Sequence, residues 1–247
     1  MATILIIFGI HWYLSLFCQT FYHHRYWSHQ MFYMSKGWEK FFFILSYIAQ
    51  GSSYLSTRTY ALMHRMHHAY SDTEKDPHSP RYFITVLGLM WHMKKRFYYY
   101  NHHEAELGEE DRKYLHNLPP PTWFERWVSD SWFSRIFWGA IYTIPYILYA
   151  DVWWIWILLP AQFVICPIQG TIVNWCGHKY GYQNFKNGDD SRNSLWWDIF
   201  LLGELFQNNH HYASSRPNFS FKRWEFDPVY PVLFILNKLS IIRFKLS

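Results

Sequence analysis

Apolar runs alternate with polar, histidine-rich boxes along the 247 residues, and the lengths of the runs set the expected architecture. Residues 2–22 are apolar and aromatic, with only His11 and Gln19 clearly polar. About 20 such residues, rising ~1.5 Å each, cross a hydrocarbon core of roughly 30 Å. Two further runs, 132–150 and 152–175, turn around Asp151, and Pro145 and Pro160 inside them predict kinks. The run 38–58 is interrupted by Gly51-Ser52-Ser53 and Ser56-Thr57-Arg58. It predicts a helix lying in the interface or dipping partway in, with Phe41-Phe42-Phe43 facing lipid or an acyl site. Residues 69–130 read as a polar excursion that ends in the rigid Leu118-Pro119-Pro120-Pro121. Residues 179–247 are polar and aromatic, with an apolar helix expected around 195–206 and a short interfacial tail. The expectation is an all-α integral membrane protein, one domain over 1–247. It has three spanning helices, interfacial helices and a cytoplasmic domain that carries the boxes.

Composition qualifies this picture without changing it. The mean hydropathy of -0.21 belongs to a soluble protein, yet 23 % of the chain is aromatic, and hydropathy scales penalise Tyr, Trp and His. The local pattern decides. A net charge of +5 and a pI near 9.0 come without the basic, aromatic-interleaved motif of a nucleic-acid binder, so no nucleic acid is expected. Lys94-Lys95-Arg96, Lys222-Arg223 and Arg243 with Lys245 fit a membrane surface or an anionic substrate head group. Neither Met1–Ala2 nor Ala150–Asp151 carries Lys or Arg, whereas box-side segments carry Arg25, Lys36, Lys40, Arg65, Arg135 and Lys179. This bias puts the boxes in the cytoplasm and the N-terminus outside. The first run has no basic n-region or small-residue cleavage site and is expected to stay as a membrane helix. Cys18, Cys166 and Cys176 form no CxxC pair and read as packed thiols.

The chemistry lies in the histidines. His64, His67 and His68 stand at i, i+3 and i+4, on one face of a helix. His24 and His29 form a second cluster, and His210 and His211 a third that begins at Gln207-Asn208-Asn209. His178 joins them, with Asn174 four residues earlier on the same helical face. A structural zinc needs about four ligands and a catalytic one about three, so eight imidazoles predict two metal ions. Imidazole suits Fe, Zn and Cu alike. His23 points about 100° away from His24 on a helix and is not expected to ligate. His78, His92, His102, His103 and His116 read as loop or surface residues. Asp72, Glu74 and Asp76 lack the glycine and closing glutamate of a calcium loop and read as a solvated loop. Asp72, Asp76 or Glu204 would nevertheless be available to orient imidazoles.

In these residues the chain resembles the membrane fatty acid desaturases, in particular the acyl-CoA Δ9-desaturase-like branch. The resemblance rests on His24-Arg25-Tyr26-Trp27-Ser28-His29, on His64–His68 continuing to Asp76-Pro77-His78, on Asn174 with His178, and on Gly203-Glu204 through His210-His211. It implies a di-iron oxidase that uses two iron ions, O2 and two external electrons to remove two hydrogens from a fatty acyl chain. An unactivated methylene has no acidic proton, so a general base would be useless there. By motif position His24, His29, His64, His67, His68, His178, His210 and His211 would bind iron, and Asn174 would act through a water molecule. The implied partners are a fatty acyl substrate (acyl-CoA or acyl lipid), membrane lipids, and a separate electron donor such as ferredoxin or cytochrome b5 with its reductase. The chain departs from the family in three places. Gln207 stands where histidine is common, leaving a weak amide ligand or a residue that supports one. Tyr60-Ala61-Leu62-Met63 replaces a charged approach to the second box, and three spans are counted where four are usual. A related hydroxylase or ketolase acting on a carotenoid, sterol or alkane is the alternative enzyme. A metal transporter or sensor would instead line a path across the bilayer with polar groups.

Overall fold

The computed structural model describes residues 1–245. Helix α1 (Ala2–Cys18) runs on into a π-helical stretch, Gln19–Ser28, and the two together are long and apolar enough to cross a membrane. The helix therefore extends past the expected residue 22, into the first box. A short strand β1 (Phe32–Met34) leads to α2 (Lys36–Gln50). The chain breaks at Gly51, where φ is +51° and a Cβ would fall 1.7 Å from the Tyr142 hydroxyl. After α3 (Thr57–Tyr70) come α4 (Val86–His102), α5 (Glu109–Arg112), α6 (Trp123–Asp130) and α7 (Trp132–Tyr149). The remaining helices are α8 (Leu158–Phe163), α9 (Ile165–Lys179), α10 (Gln207–Tyr212) and α11 (Val229–Lys238). Strand β2 (Ile242–Phe244) returns antiparallel to β1, pairing Tyr33 with Arg243. The described residues are thus mostly helical, with one two-stranded sheet among them.

Three sequence expectations are corrected. The run 152–175 is not one continuous helix: a 3-10 turn over Trp153–Ile157 and α8 meet α9 at an 80° bend. The bend falls at Val164 (φ -128°, ψ 34°), while Pro145 and Pro160 stay inside α7 and α8. The stretch 195–206 is a series of turns, because buried Asp198 takes the backbone N–H groups of Leu201 and Leu205 and Gly203 adopts φ +88°. Of the three phenylalanines on α2, Phe41 faces outward but Phe42 is buried in the core.

The main core joins the first-box helix, α3, α10 and α11 through Phe21, Phe32, Leu62, Met66, Phe206 and Leu233. Beneath it lies a fully buried ion pair, Arg25 Nη2 to Asp227 Oδ2 at 2.8 Å. Asp227 also accepts the backbone N–H groups of Phe219 and Val229, so the charge is fully hydrogen-bonded. Outward faces are apolar: Ile136 is 68 % exposed, Ile147 70 % and Ile6 62 %. Such faces suit a hydrocarbon solvent.

Candidate metal centre

The first box gains its geometry from the π-helix. Its bonds close over five residues, so residues five apart lie one turn apart. The His29 N–H donates to the His24 carbonyl at 3.1 Å, and both imidazoles turn inward. On α3 the spacing works differently. His64 and His68 are a turn apart, while neighbours such as His67 and His68 diverge by about 100°. The result is two sets of converging nitrogens, His24, His29, His64, His68 and His210 in one and His67, His178 and His211 in the other. Each doublet, His67-His68 and His210-His211, splits between the sets.

Within the larger set, His210 Nε2 lies 2.9 Å from both His24 Nε2 and His68 Nε2, and His64 Nε2 lies 2.7 Å from His29 Nε2 and 3.0 Å from His68 Nε2. In the smaller set, His67 Nε2 is 3.2 Å from His211 Nε2, and His178 Nε2 is buried without a partner among the described residues. A shared cation satisfies so many inward lone pairs together; pairwise proton sharing does not.

Four carboxylates fix the tautomers from behind. His24 Nδ1 lies 2.7 Å from Glu204, His67 Nδ1 2.9 Å from Asp76, His178 Nδ1 2.9 Å from Asp72 and His211 Nδ1 2.7 Å from Asp189. An Nδ1–H held by a carboxylate leaves Nε2 with its lone pair toward the centre. Burial alone would raise all four acids, but the facing imidazoles and further donors hold each below the usual carboxylate range. Burial, then crowding by neighbouring imidazoles, holds His64, His68 and His210 well below the usual histidine value. These three donors are therefore neutral and ready to ligate.

The three acids of the loop around Asp72 are not all solvated: Asp72 and Asp76 are buried, and of the three only Glu74 faces solvent. His78, expected at the surface, is buried against His67 with ring centroids 5.5 Å apart, and its backbone N–H binds Asp76. His23 faces Tyr54 and Tyr60, away from both sets, as its helical phase requires. Sequence reasoning missed Asp189, which sits in a polar loop with no periodicity to flag it. It also missed the two asparagines that hold α10. Asn208 bridges the backbone of Asn184, Phe185 and Ser191, and Asn209 bridges Asn184, Asn193 and Glu225.

A cavity of about 1080 Å3 abuts the larger set at His64, where Asn174, Glu204 and Gln207 also line it. Asn174 donates to the Gly170 carbonyl, and Gln207 Nε2 donates to the Glu204 carbonyl at 2.7 Å. Gln207 packs where a Cβ on Gly177 would lie 2.3 Å from its Cγ. The walls are apolar, including Leu16, Met63, Met90 and Val173, and the lining reaches Gly139 and Phe163. Lys94, Lys95 and Arg135 stand at the rim, with Lys94 Nζ 4.5 Å over Trp91 and Arg135 5.4 Å over Trp132.

Comparison with known proteins agrees with this arrangement. The chain is 28 % identical over 253 residues to the hex-5-enoyl-[acyl-carrier protein] acetylenase of Moorena producens, covering 94 % of this chain and 73 % of that protein. It is 25 % identical over 225 residues to the Delta-9 desaturase-like 5 protein of Arabidopsis thaliana, covering 90 % and 70 %. The sn-1 stearoyl-lipid 9-desaturase of Synechocystis is 25 % identical over 225 residues, covering 89 % and 64 %. The sequence profile of the family described as fatty acid desaturase matches residues 2–230, and the chain belongs to that family of enzymes.

Proposed function

We propose that the chain is an O2-dependent di-iron desaturase, one domain over 1–247, that places a cis double bond in a fatty acyl chain carried on CoA or in a membrane lipid. What carries this reading is the meeting of the imidazole cage with a long apolar cavity at His64. The donor set fits two iron ions. His24, His29, His64, His68 and His210 would hold one, and His67, His178 and His211 would hold the other, with Asn174 acting through a water molecule. Gln207 works at the catalytic end beside Asn174, as a cavity-lining amide rather than an imidazole donor.

When bound, the iron pair supplies the oxidising power that unactivated methylenes require. The balance is one –CH2–CH2– unit, O2, two electrons and two protons giving –CH=CH– and two waters. The protein's own part is to hold the acyl chain in a water-poor cavity of ligand size, with its reacting carbons against His64. The buried carboxylates Asp72, Asp76, Asp189 and Glu204 keep four of the eight imidazoles, His178, His67, His211 and His24, in one tautomer and orientation. A separate one-electron carrier, ferredoxin or cytochrome b5 with its reductase, delivers the electrons.

In the membrane, α1, α7 and the bent α8–α9 pair serve as three spans, with the N-terminus outside and the boxes in the cytoplasm. The distribution of Lys and Arg supports that orientation.

The test is expression in a host with a simple lipid pool, gas chromatography of fatty acid methyl esters, and an iron count on the purified protein. A new alkene and two irons per chain are expected. A hydroxy acid in place of the alkene, or one metal per chain, would overturn the proposal. His67→Ala is expected to abolish product while membrane insertion persists.

A further inference from the structure

The residue after ligand His211 is Tyr212, whose side chain leaves the cage and is 57 % exposed. Its ring stacks on Phe185 with centroids 3.7 Å apart and planes within 3°, and Phe221 packs edge-on against Phe185 at 4.8 Å. Cations surround this aromatic cluster. The Arg216 guanidinium lies 4.0 Å over the Phe221 ring, Lys186 follows Phe185, and Lys222 and Arg223 follow Phe221. Among the described residues, none of these four cations has an ion-pair partner. The nearby acids are already engaged: Asp189 binds His211 and Ser191, and Glu225 binds Tyr182 and the backbone N–H groups of Phe221 and Lys222.

An un-neutralised positive face with an exposed aromatic centre, one residue from a cage imidazole, suits a negatively charged partner that exchanges electrons with the cage. We propose that the surface centred on Tyr212, Phe185 and Phe221 and ringed by Lys186, Arg216, Lys222 and Arg223 is the docking site of a small acidic one-electron carrier protein. The proposal rests on the desaturase reading, whose balance demands two external electrons. Each docking event oxidises the carrier by one electron and reduces the enzyme by one, so two events serve one turnover. Electron-carrier encounters bury small, weakly held interfaces, and a face of three rings and four cations is of that kind.

The test uses the full chain in nanodiscs of zwitterionic phosphatidylcholine, titrated with an acidic [2Fe–2S] ferredoxin or with the basic carrier cytochrome c. Wild type is expected to bind ferredoxin with a Kd that rises steeply with salt, and to ignore cytochrome c. The double variant Lys186→Glu, Lys222→Glu is expected to weaken ferredoxin binding at least about tenfold. Its thermal unfolding, and its single-turnover product yield when the enzyme is reduced anaerobically by dithionite, freed of excess reductant and then given O2, are expected to be unchanged. A Kd within twofold of wild type would overturn the proposal. So would a defect seen only in phosphatidylglycerol discs, which would make the face a lipid-headgroup surface. If wild type reduced in that way and then given O2 yields no alkene while ferredoxin still binds, the desaturase reading fails and the docking face stands.

Discussion

The carboxylate behind each imidazole invites a direct perturbation at Asp189. This residue accepts the His211 Nδ1–H at 2.7 Å and the Ser191 backbone N–H at 3.0 Å, and it touches no other cage imidazole. Asp189→Asn keeps an acceptor for His211 but removes the charge, and Asp189→Leu removes both. Losing such an outer partner typically weakens metal affinity about 10- to 100-fold, which is about 1.4–2.8 kcal/mol. The Asn variant is expected near the lower bound and Leu near the upper. His211 belongs to the three-imidazole set, so the loss is expected to fall on one of the two proposed metals. Purified enzyme is equilibrated against graded chelator and the retained iron is counted, wild type being expected to release metal in two steps. Asp189→Leu is expected to shift the weaker step by about two decades and leave the other in place. If both steps move together, or neither moves, then the division into five and three imidazoles, or the orienting role of the carboxylate, is wrong.

Gly203→Ala places a Cβ 2.5 Å from Asp227 Oδ1 at a φ of +88°. A loss of at least about 1–3 kcal/mol is expected, read as a lower unfolding temperature, and an unchanged temperature refutes it. A Cβ at Gly139 would meet only Phe163 Cε1, at 3.7 Å, and the glycine lines the cavity, so the Gly139→Leu side chain is expected to enter it. A shift toward shorter acyl products is expected by gas chromatography, and an unchanged length profile means that the acyl chain does not reach this point. In the metal-stripped protein, Asp72 and Asp189 lie below the usual carboxylate value because imidazole hydrogen bonds outweigh burial. Their stabilisation is complete above about pH 4 and is lost as pH falls through the depressed folded values. Unfolding temperature is expected to drop below that pH and to drop less in Asp72→Asn; equal slopes would remove the linkage.

The histidine boxes were legible because ligand spacing is a local property: residues four apart on α3, or five apart on a π-helix, share a face wherever the rest of the chain goes. The partition between two sets was harder to read. His64, His67 and His68 occupy one broad face by spacing alone, and only the arrival of His178 and His211 beside His67 divides it. The supporting acids show the same limit. Asp72 and Asp76 follow the second box closely enough to be noticed, yet their polar neighbours suggested a solvated loop. Folding buries them because α9 brings His178 against one, while α3 already offers His67 to the other. Asp189 has no sequence signal, since its partner is 22 residues away across an irregular loop. Apolarity misled in the opposite direction at 195–206, where one buried aspartate redirects the backbone hydrogen bonds that a helix would have kept.

Gln207 joins these levels. As the first residue of α10 it stands one turn before His211, a member of the smaller set, which has three imidazoles against five. Its amide nitrogen is instead held by the Glu204 carbonyl, and its stem occupies space that Gly177 leaves open. The same Glu204 orients His24 through its carboxylate, so one residue ties Gln207 to the larger set. Asymmetry in the cage is therefore built into the packing of α9 against α10. Replacing Gln207 by histidine would have to break the Glu204 contact before it could add a ligand. Gln207→His with a two-step chelator profile like that of wild type would place Gln207 outside the metal-binding function. A second step moved to tighter binding would make the missing imidazole the reason for the weak site.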